Sequence, residues 1–327
     1  MGKNIKERNQ LADFARVFMA FIVVAIHVNI FYEHPALNKI TVDGFFRIAV
    51  PFFLMINGYY FHENISHVES FKKWLKRGIV LFFVWQAIYL PLYLPIEDFS
   101  YNRLAVFFVS QLIFGYHHLW YISAMVLGGI ILFALRDKPY SLALSLFLFI
   151  IGCCLQYVRP FIDNNPTLYK VFSQYWLFRN GLFFGFPMMY IGFYIAKNNL
   201  LIKFNNNLLF LFLTISTISY GCEIFFVQNI FFSHMSYHID FYLSILLLTP
   251  VVFIFIMRTK FCPFKDKDTK YLALFSSIVY FIHPYVIKLI ESFLSIESVM
   301  FYINVLVISS LISFFCVLNR KRLWFLF

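Results

Sequence analysis

This sequence is short of charge. Only 13% of its 327 residues are Asp, Glu, Lys or Arg, about half of what a soluble globular domain carries, so a water-facing surface of ordinary composition is excluded. Useful cysteine is also missing. The five present (Cys153, Cys154, Cys222, Cys262, Cys316) fall mostly inside apolar runs without metal-ligand spacing, which argues against a thiolate metal site and leaves them as small hydrophobes. There is no cleavable leader pattern: the first apolar run continues to spanning length without a small-residue cleavage site. Neither an internal repeat nor a stretch of soluble-domain composition is evident, and the alternation of a transmembrane β-barrel is absent.

What fills the chain is hydrocarbon. Residues are 61% hydrophobic and 22% aromatic, with a mean hydropathy of +0.75. Runs near twenty residues, each enough to cross about 30 Å of bilayer, recur from end to end. The expected fold is therefore an all-α integral membrane protein, a single transmembrane domain over 1–327. About ten spans are expected, at 11–32, 43–61, 78–95, 118–135, 140–158, 178–196, 207–227, 239–257, 271–290 and 299–318. An eleventh run, 104–115, is short for a span.

The net charge of +11 raises the question of nucleic acid, but cytoplasmic Lys and Arg that set membrane orientation are the plainer cause. With 104–115 left out and the N-terminus inside, nineteen of the 27 basic residues fall in inner segments: Lys3, Lys6, Arg8; Lys72, Lys73, Lys76, Arg77; Arg136, Lys138; Lys197, Lys203; Arg258, Lys260, Lys265, Lys267, Lys270; Arg320, Lys321, Arg322. Four fall outside: Lys39, Arg103, Arg159 and Lys170. Counting 104–115 as a span would put the Arg258–Lys270 cluster outside. The charges thus predict two cytoplasmic termini and a re-entrant or interfacial segment near 104–115.

Four basic residues are left within spans: Arg16, Arg47, Arg179 and Lys288. Intramembrane ionisable groups usually face a cavity or a partner. Lys288, near a helix end, can equally snorkel, and so can Arg47 and Arg179. Arg16 and His27 differ in kind. Eleven residues apart, they lie about 20° from each other around the helix and roughly 16 Å apart along it. Asp13, one turn before Arg16, can pair with it and lower the cost of burial. An interfacial ion pair and a hydrogen-bonded core histidine would explain the same residues. Further imidazoles at a similar depth, His117 and His118 in "GYHHLWYIS" and His283 in "SSIVYFIHPYVI", suggest a polar vestibule opening outward, with no convincing metal site among them. At the start of the third span, "FKKWLKRGI" is either a topology anchor or a grip for phosphates.

Several stretches together resemble the acyltransferase-3 family of membrane acetyltransferases. Arg16 and His27 match its first-helix Arg-x10-His motif, with Asp13 at a position that often reads Asp-x-x-Arg. "VPFFLMINGYY", "FKKWLKRGI", "HHLWYIS", "FRNGLFFGFPMMYIGFYIA" and "SSIVYFIHPYVI" follow in family order, from about Asp13 to Val286. Two departures stand out. Asn57 replaces a common Ser, and Met125 falls where one branch carries glutamate, so no carboxylate base is assigned there. Some members carry a C-terminal soluble hydrolase-like domain. With nine residues after the last span, the expectation here is that the membrane domain completes the transfer, although a partner protein can replace such a domain.

The resemblance implies an O-acetyltransferase of the bacterial inner membrane. It would move acetyl from cytosolic acetyl-CoA, a co-substrate rather than a bound cofactor, to a hydroxyl of a surface or lipid-linked glycan. On that reading Arg16, Lys72, Lys73, Lys76 and Arg77 hold the CoA phosphates. His27 acts as general base or as acyl-imidazole nucleophile. Asp13, Arg47, His118, Trp120, Tyr121, Arg179, Tyr280 and His283 are placed by motif position on the acceptor side or at an oxyanion. The rivals are a transporter or flippase of a lipid-linked glycan or small substrate, for which Pro51, Pro91 and Pro187 within spans speak, and a receptor or structural domain such as the membrane half of a racemase.

Overall fold

The computed structural model describes residues 9–93, 101–162, 164–231, 239–259, 263, 269–292 and 298–327. Lys3, Lys6, Arg8, Lys260, Lys265, Lys267 and Cys262 lie outside them, as does the side chain of Arg103. Among the described residues every regular element is helical: α1 (Gln10–Val28), α2 (Pro35–Thr41), α3 (Ala49–Asn64), α4 (Val68–Tyr93), α5 (Tyr101–Phe114), α6 (Trp120–Leu135), α7 (Ser141–Tyr157), α8 (Pro166–Phe172), α9 (Phe186–Lys197), α10 (Asn206–Phe226), α11 (Ile245–Arg258), α12 (Lys270–Glu291) and α13 (Ser298–Leu318). Short 3-10 or π turns join several of them.

Among the described residues seven stretches are long and apolar enough to cross a bilayer: Gln10–Val28, Pro35–Asn64, Val68–Tyr93, His117–Leu135, Asn206–Phe231, Lys270–Glu291 and Ser298–Leu318. The chain is thus a multi-pass membrane protein, but three of the ten expected runs form shorter helices. In 140–158 the helix α7 has 17 residues. In 178–196 the backbone first takes a π turn, Gly181–Gly185, leaving 12 residues to α9. In 239–257 the first residues are not helical and α11 has 14. Hydropathy counts apolar residues whether or not the backbone coils, so it overstates helix length wherever a π turn or an irregular lead-in intervenes. The short run at 104–115 forms most of α5, a helix of 14 residues.

The bundle is tied together by close helix approach. α3 and α9 cross where Gly58 faces the backbone of Met189 and Gly192 faces that of Met55. A Cβ at Gly58 would lie 2.6 Å from the Met189 carbonyl carbon, and one at Gly192 would lie 2.8 Å from that of Met55. Lipid tails are as apolar as Leu, so such small-residue crossings, which maximise dispersion contact, are a main source of helix association in membranes. α12 lies between α1 and α13, and α1 is fixed at both ends. Its first turn is capped by Asn9, whose side chain accepts from Ala12 N at 2.9 Å and donates to the Met257 carbonyl at 2.8 Å. It ends at Asn29, in left-handed conformation at φ 57°. The buried stripe of Ala12, Ala15, Met19, Ala20 and Val23 packs inward, and it carries Arg16 and His27 into the bundle with it.

Candidate active site

At the far end of α1, four imidazoles meet. The His27 ring centroid lies 4.7 Å from His117, 5.0 Å from His283 and 6.3 Å from His118, and His118 lies 5.2 Å from His283. Three local devices supply them. α1 delivers His27. The turn before α6, with Gly115 at φ 84° and His117 at φ 49°, delivers the other pair of neighbours; left-handed backbone at a non-glycine residue is the kind of local strain that concentrates at functional sites. α12 delivers His283 one residue before Pro284, which cannot donate to the Tyr280 carbonyl. His283 Nδ1 lies 3.2 Å from the Val279 carbonyl. A carbonyl only accepts, so Nδ1 carries the proton in the neutral ring and Nε2 is left as an acceptor. Both nitrogens of His118 and Nε2 of His283 are buried without a hydrogen-bond partner among the described residues.

The cluster opens on a cavity of about 600 Å³, whose wall includes His27, His117, His118, Trp120, Arg47 and Arg179. α5 contributes Ser110, Gln111 and Phe114 to the same wall, so the short run at 104–115 forms one side of the cavity. Two arginines share one acid there: Arg47 donates to Asp240 Oδ1 at 3.4 Å, and Arg179 donates to the same oxygen. Arg47 also pairs with Asp43 at 3.0 Å. Snorkelling therefore does not describe Arg47 or Arg179, although it does describe the exposed Lys288, which pairs with Glu291 at 3.1 Å. Arg159, expected in an outer loop, is fully buried with its guanidinium 4.7 Å from the Phe178 ring.

At the other end of α1, Arg16 donates to Asp13 at 2.9 Å and lies over the Tyr60 ring at 5.3 Å. Asp13, 1% exposed, also accepts from Thr269 Oγ1 at 2.6 Å. Asp13 is therefore placed with Arg16 and not with the other acceptor-side residues. Between the two ends runs a line of polar aromatics. Asn57 donates to Tyr121 Oη at 2.7 Å and to the Phe53 carbonyl at 2.9 Å. Tyr121 contacts Tyr280 at 5.3 Å, and Tyr280 donates to the His118 carbonyl at 3.0 Å. Met125 is part of the apolar packing.

The cationic stretch is less closely integrated. Lys72, Lys73, Lys76 and Arg77 are all exposed on the first turns of α4. Lys72 pairs with Glu69 at 2.9 Å, and Arg77 Nε donates to the Phe327 carbonyl at 3.1 Å. No hydrogen bond or ion pair joins this cluster to Arg16 among the described residues. Sequence reasoning missed Asp43, Asp240 and the Asn57–Tyr121 bond. The signal is in the sequence: Asp43, Glu223 and Asp240 are acidic residues inside the expected runs. The imidazoles do not form a metal cage: among the described residues no group of three His, Cys, Asp or Glu side chains is placed to hold an ion.

A membrane helix bundle with an Arg–Asp pair at one end of its first helix and a histidine cluster at the other is the architecture these observations define. The chain belongs to the acyltransferase-3 family: the family model described as "Acyltransferase domain" matches residues 10–318. Among curated proteins it is similar to an "Amino-acid racemase" of Enterococcus faecalis, at 29% identity over 88% of this chain and 42% of that protein. It is also similar to a "Serine/alanine racemase" of Enterococcus gallinarum, at 26% identity over 97% of this chain and 47% of that one. The chain spans less than half the length of these relatives. No solved structure matches it.

Proposed function

We propose that the chain is a bacterial inner-membrane O-acyltransferase that takes acetyl from cytosolic acetyl-CoA and passes it to a hydroxyl of a surface or lipid-linked glycan. The observation that carries this is one helix holding Arg16 at one end and His27, inside an imidazole cluster facing a 600 Å³ cavity, at the other. The separation, roughly 16 Å by helix rise, suits an extended pantetheine arm. Arg16 lies at the cytoplasmic end in this reading and takes a phosphate, with the exposed Lys72, Lys73, Lys76 and Arg77 as an outlying polyanion grip. In this reading the thioester reaches His27 past Tyr60, which lies under Arg16, and the buried pair Tyr121 and Tyr280.

The acceptor enters from the cavity. His27 takes the proton of its hydroxyl, the oxygen attacks the thioester carbonyl carbon, and the carbon–sulfur bond breaks. The proton passes from the imidazole to the thiolate, so the products are an O-acyl ester and free CoA. In the covalent variant an acyl-imidazole forms first, and mass spectrometry of enzyme plus donor without acceptor distinguishes the two. Developing negative charge on the carbonyl oxygen meets the polar surroundings of His118 and His283.

A second reading has one observation in its favour: the relatives are called amino-acid and serine/alanine racemases. Here the cavity would bind and pass an amino acid or other small substrate without chemistry, or serve as a domain for a catalytic partner. The test is CoA release by purified protein in nanodiscs with a glycan extract as acceptor. Extract-dependent release supports transfer. Uptake of serine into proteoliposomes without any thioester consumption supports transport.

A further inference from the structure

We infer that the acceptor group bound in the cavity beside His27 is anionic, a glycan carrying a carboxylate or phosphate, and that Arg47 and Arg179 hold that charge. The inference rests on the cavity being the acceptor site of an acyltransferase, but the anion site itself can be tested without turnover.

Both guanidiniums belong to the cavity wall, and among the described residues that wall includes no Asp, Glu or Lys. Their acidic partners stand behind them: neither Asp43 nor Asp240 lines the cavity, and Asp240 is 8% exposed. Among the described residues the local count of two cations and two anions is neutral, yet it is polarised, with positive charge toward the space and negative charge toward the protein. That arrangement offsets the cost of burying two arginines while leaving donors over. A guanidinium has five N–H groups, and the bonds to Asp43 and Asp240 use one on each terminal nitrogen of Arg47 and one on Arg179, so terminal N–H groups remain for a ligand. Arg179 is also fixed in orientation, 4.2 Å from the Tyr175 ring and 5.9 Å from that of Trp120. A held, planar fork with spare donors is the side chain that recognises a carboxylate or phosphate by paired bonds. Tyr175, Trp176 and Trp120 on the same wall offer flat faces to a sugar ring.

Tryptophan fluorescence reads the site directly, because Trp120 and Trp176 line it. Detergent-purified protein is titrated with glucuronate, glucose 6-phosphate and glucose. The expected result is at least tenfold tighter binding of one or both acidic sugars than of glucose, and their order tells carboxylate from phosphate. Arg179→Gln should abolish that preference. Arg179→Lys, which keeps the charge but not the fork, should retain part of it and covers the case in which Arg179→Gln fails to fold, as judged by gel filtration. Equal affinity for all three sugars, or no response to either acidic one, overturns the inference. CoA release measured alongside separates the two claims. Acidic-sugar binding with no thioester turnover from any acceptor sinks acyl transfer and leaves the anion site standing. Turnover that is as fast with neutral as with acidic acceptors sinks the anion site alone.

Discussion

Replacing Gly58 by alanine adds a single methyl group, and the structure says where it goes. The new Cβ would sit 2.6 Å from the carbonyl carbon and 2.7 Å from the Cα of Met189. Ordinary carbon–carbon contact is about 3.5–4.0 Å, so α3 and α9 must separate by roughly 1 Å. The obstacle is backbone, which cannot rotate away as a side chain can. Overpacking of a closed core costs about 1–3 kcal/mol, and this crossing belongs at the upper end, since separation also loosens the neighbouring Phe52, Met55, Ile56, Met188 and Met189, all nearly inaccessible. Gly221, inside α10, is the control. A Cβ there meets only Phe45 Cζ, at 3.9 Å, and alanine is favoured over glycine in a helix by about 1 kcal/mol. The two chemically identical changes should therefore have opposite signs: Gly58→Ala lowers the midpoint of thermal unfolding in detergent, and Gly221→Ala leaves it unchanged or raises it. A Gly58→Ala protein as stable as wild type would refute the close-crossing argument.

Other expectations follow from the same geometry. Arg16→Ala should raise KM for acetyl-CoA by roughly 10- to 100-fold, the worth of one charge-assisted phosphate contact. An unchanged dependence of rate on donor concentration would remove Arg16 from the donor site. Asp13→Asn leaves Arg16, whose side chain is 15% exposed, without its charge partner. Breaking a buried pair costs about 3–5 kcal/mol, so its melting midpoint should fall clearly below that of an exposed-pair control such as Glu69→Gln. Glu33 links the loop after α1 to the start of α13 by accepting from Ser298 N at 3.1 Å and Ser298 Oγ at 2.5 Å, and these bonds hold its carboxyl below the usual carboxylate range. A lowered folded-state value means the link is present above the ordinary carboxylate range and is lost as pH falls through it. Wild type should therefore lose stability relative to Glu33→Gln between about pH 5 and pH 3, and parallel stability curves would contradict this.

The parts of the molecule legible in the sequence were those set by local periodicity. Arg16 and His27 read as one helix face because eleven residues make almost whole turns, and α1 carries them so. The imidazoles of "GYHHLWYIS" and "SSIVYFIHPYVI" read as sharing a depth, and His117, His118 and His283 do surround His27. What escaped were relations between distant segments. Asp240 lies 193 residues from Arg47 and 61 from Arg179, and nothing local marks it as their common partner. Asn57 looked like a polar stand-in for serine, whereas its amide spans to Tyr121 on another helix, 64 residues away. The resemblance groups Lys72–Arg77 with Arg16 as a phosphate grip, and the sequence does not say which helices are neighbours. Helix length was overstated at 178–196 for a local reason of a different kind, the π turn at Gly181–Gly185, whose backbone is held by Asn180 accepting from Leu182 N and Phe183 N at 2.9 Å each.

The proposed function stands or falls on His27 moving the proton in an acyl transfer. The most direct measurement is CoA thiol release from acetyl-CoA by wild type and His27→Ala in nanodiscs, with a surface-glycan extract as acceptor and matched expression and gel-filtration profiles. Wild type should show extract-dependent release that falls by roughly 10²- to 10⁴-fold in the variant, the usual worth of a positioned base. Release by His27→Ala at the wild-type rate, or no release by wild type from any acceptor, would contradict it.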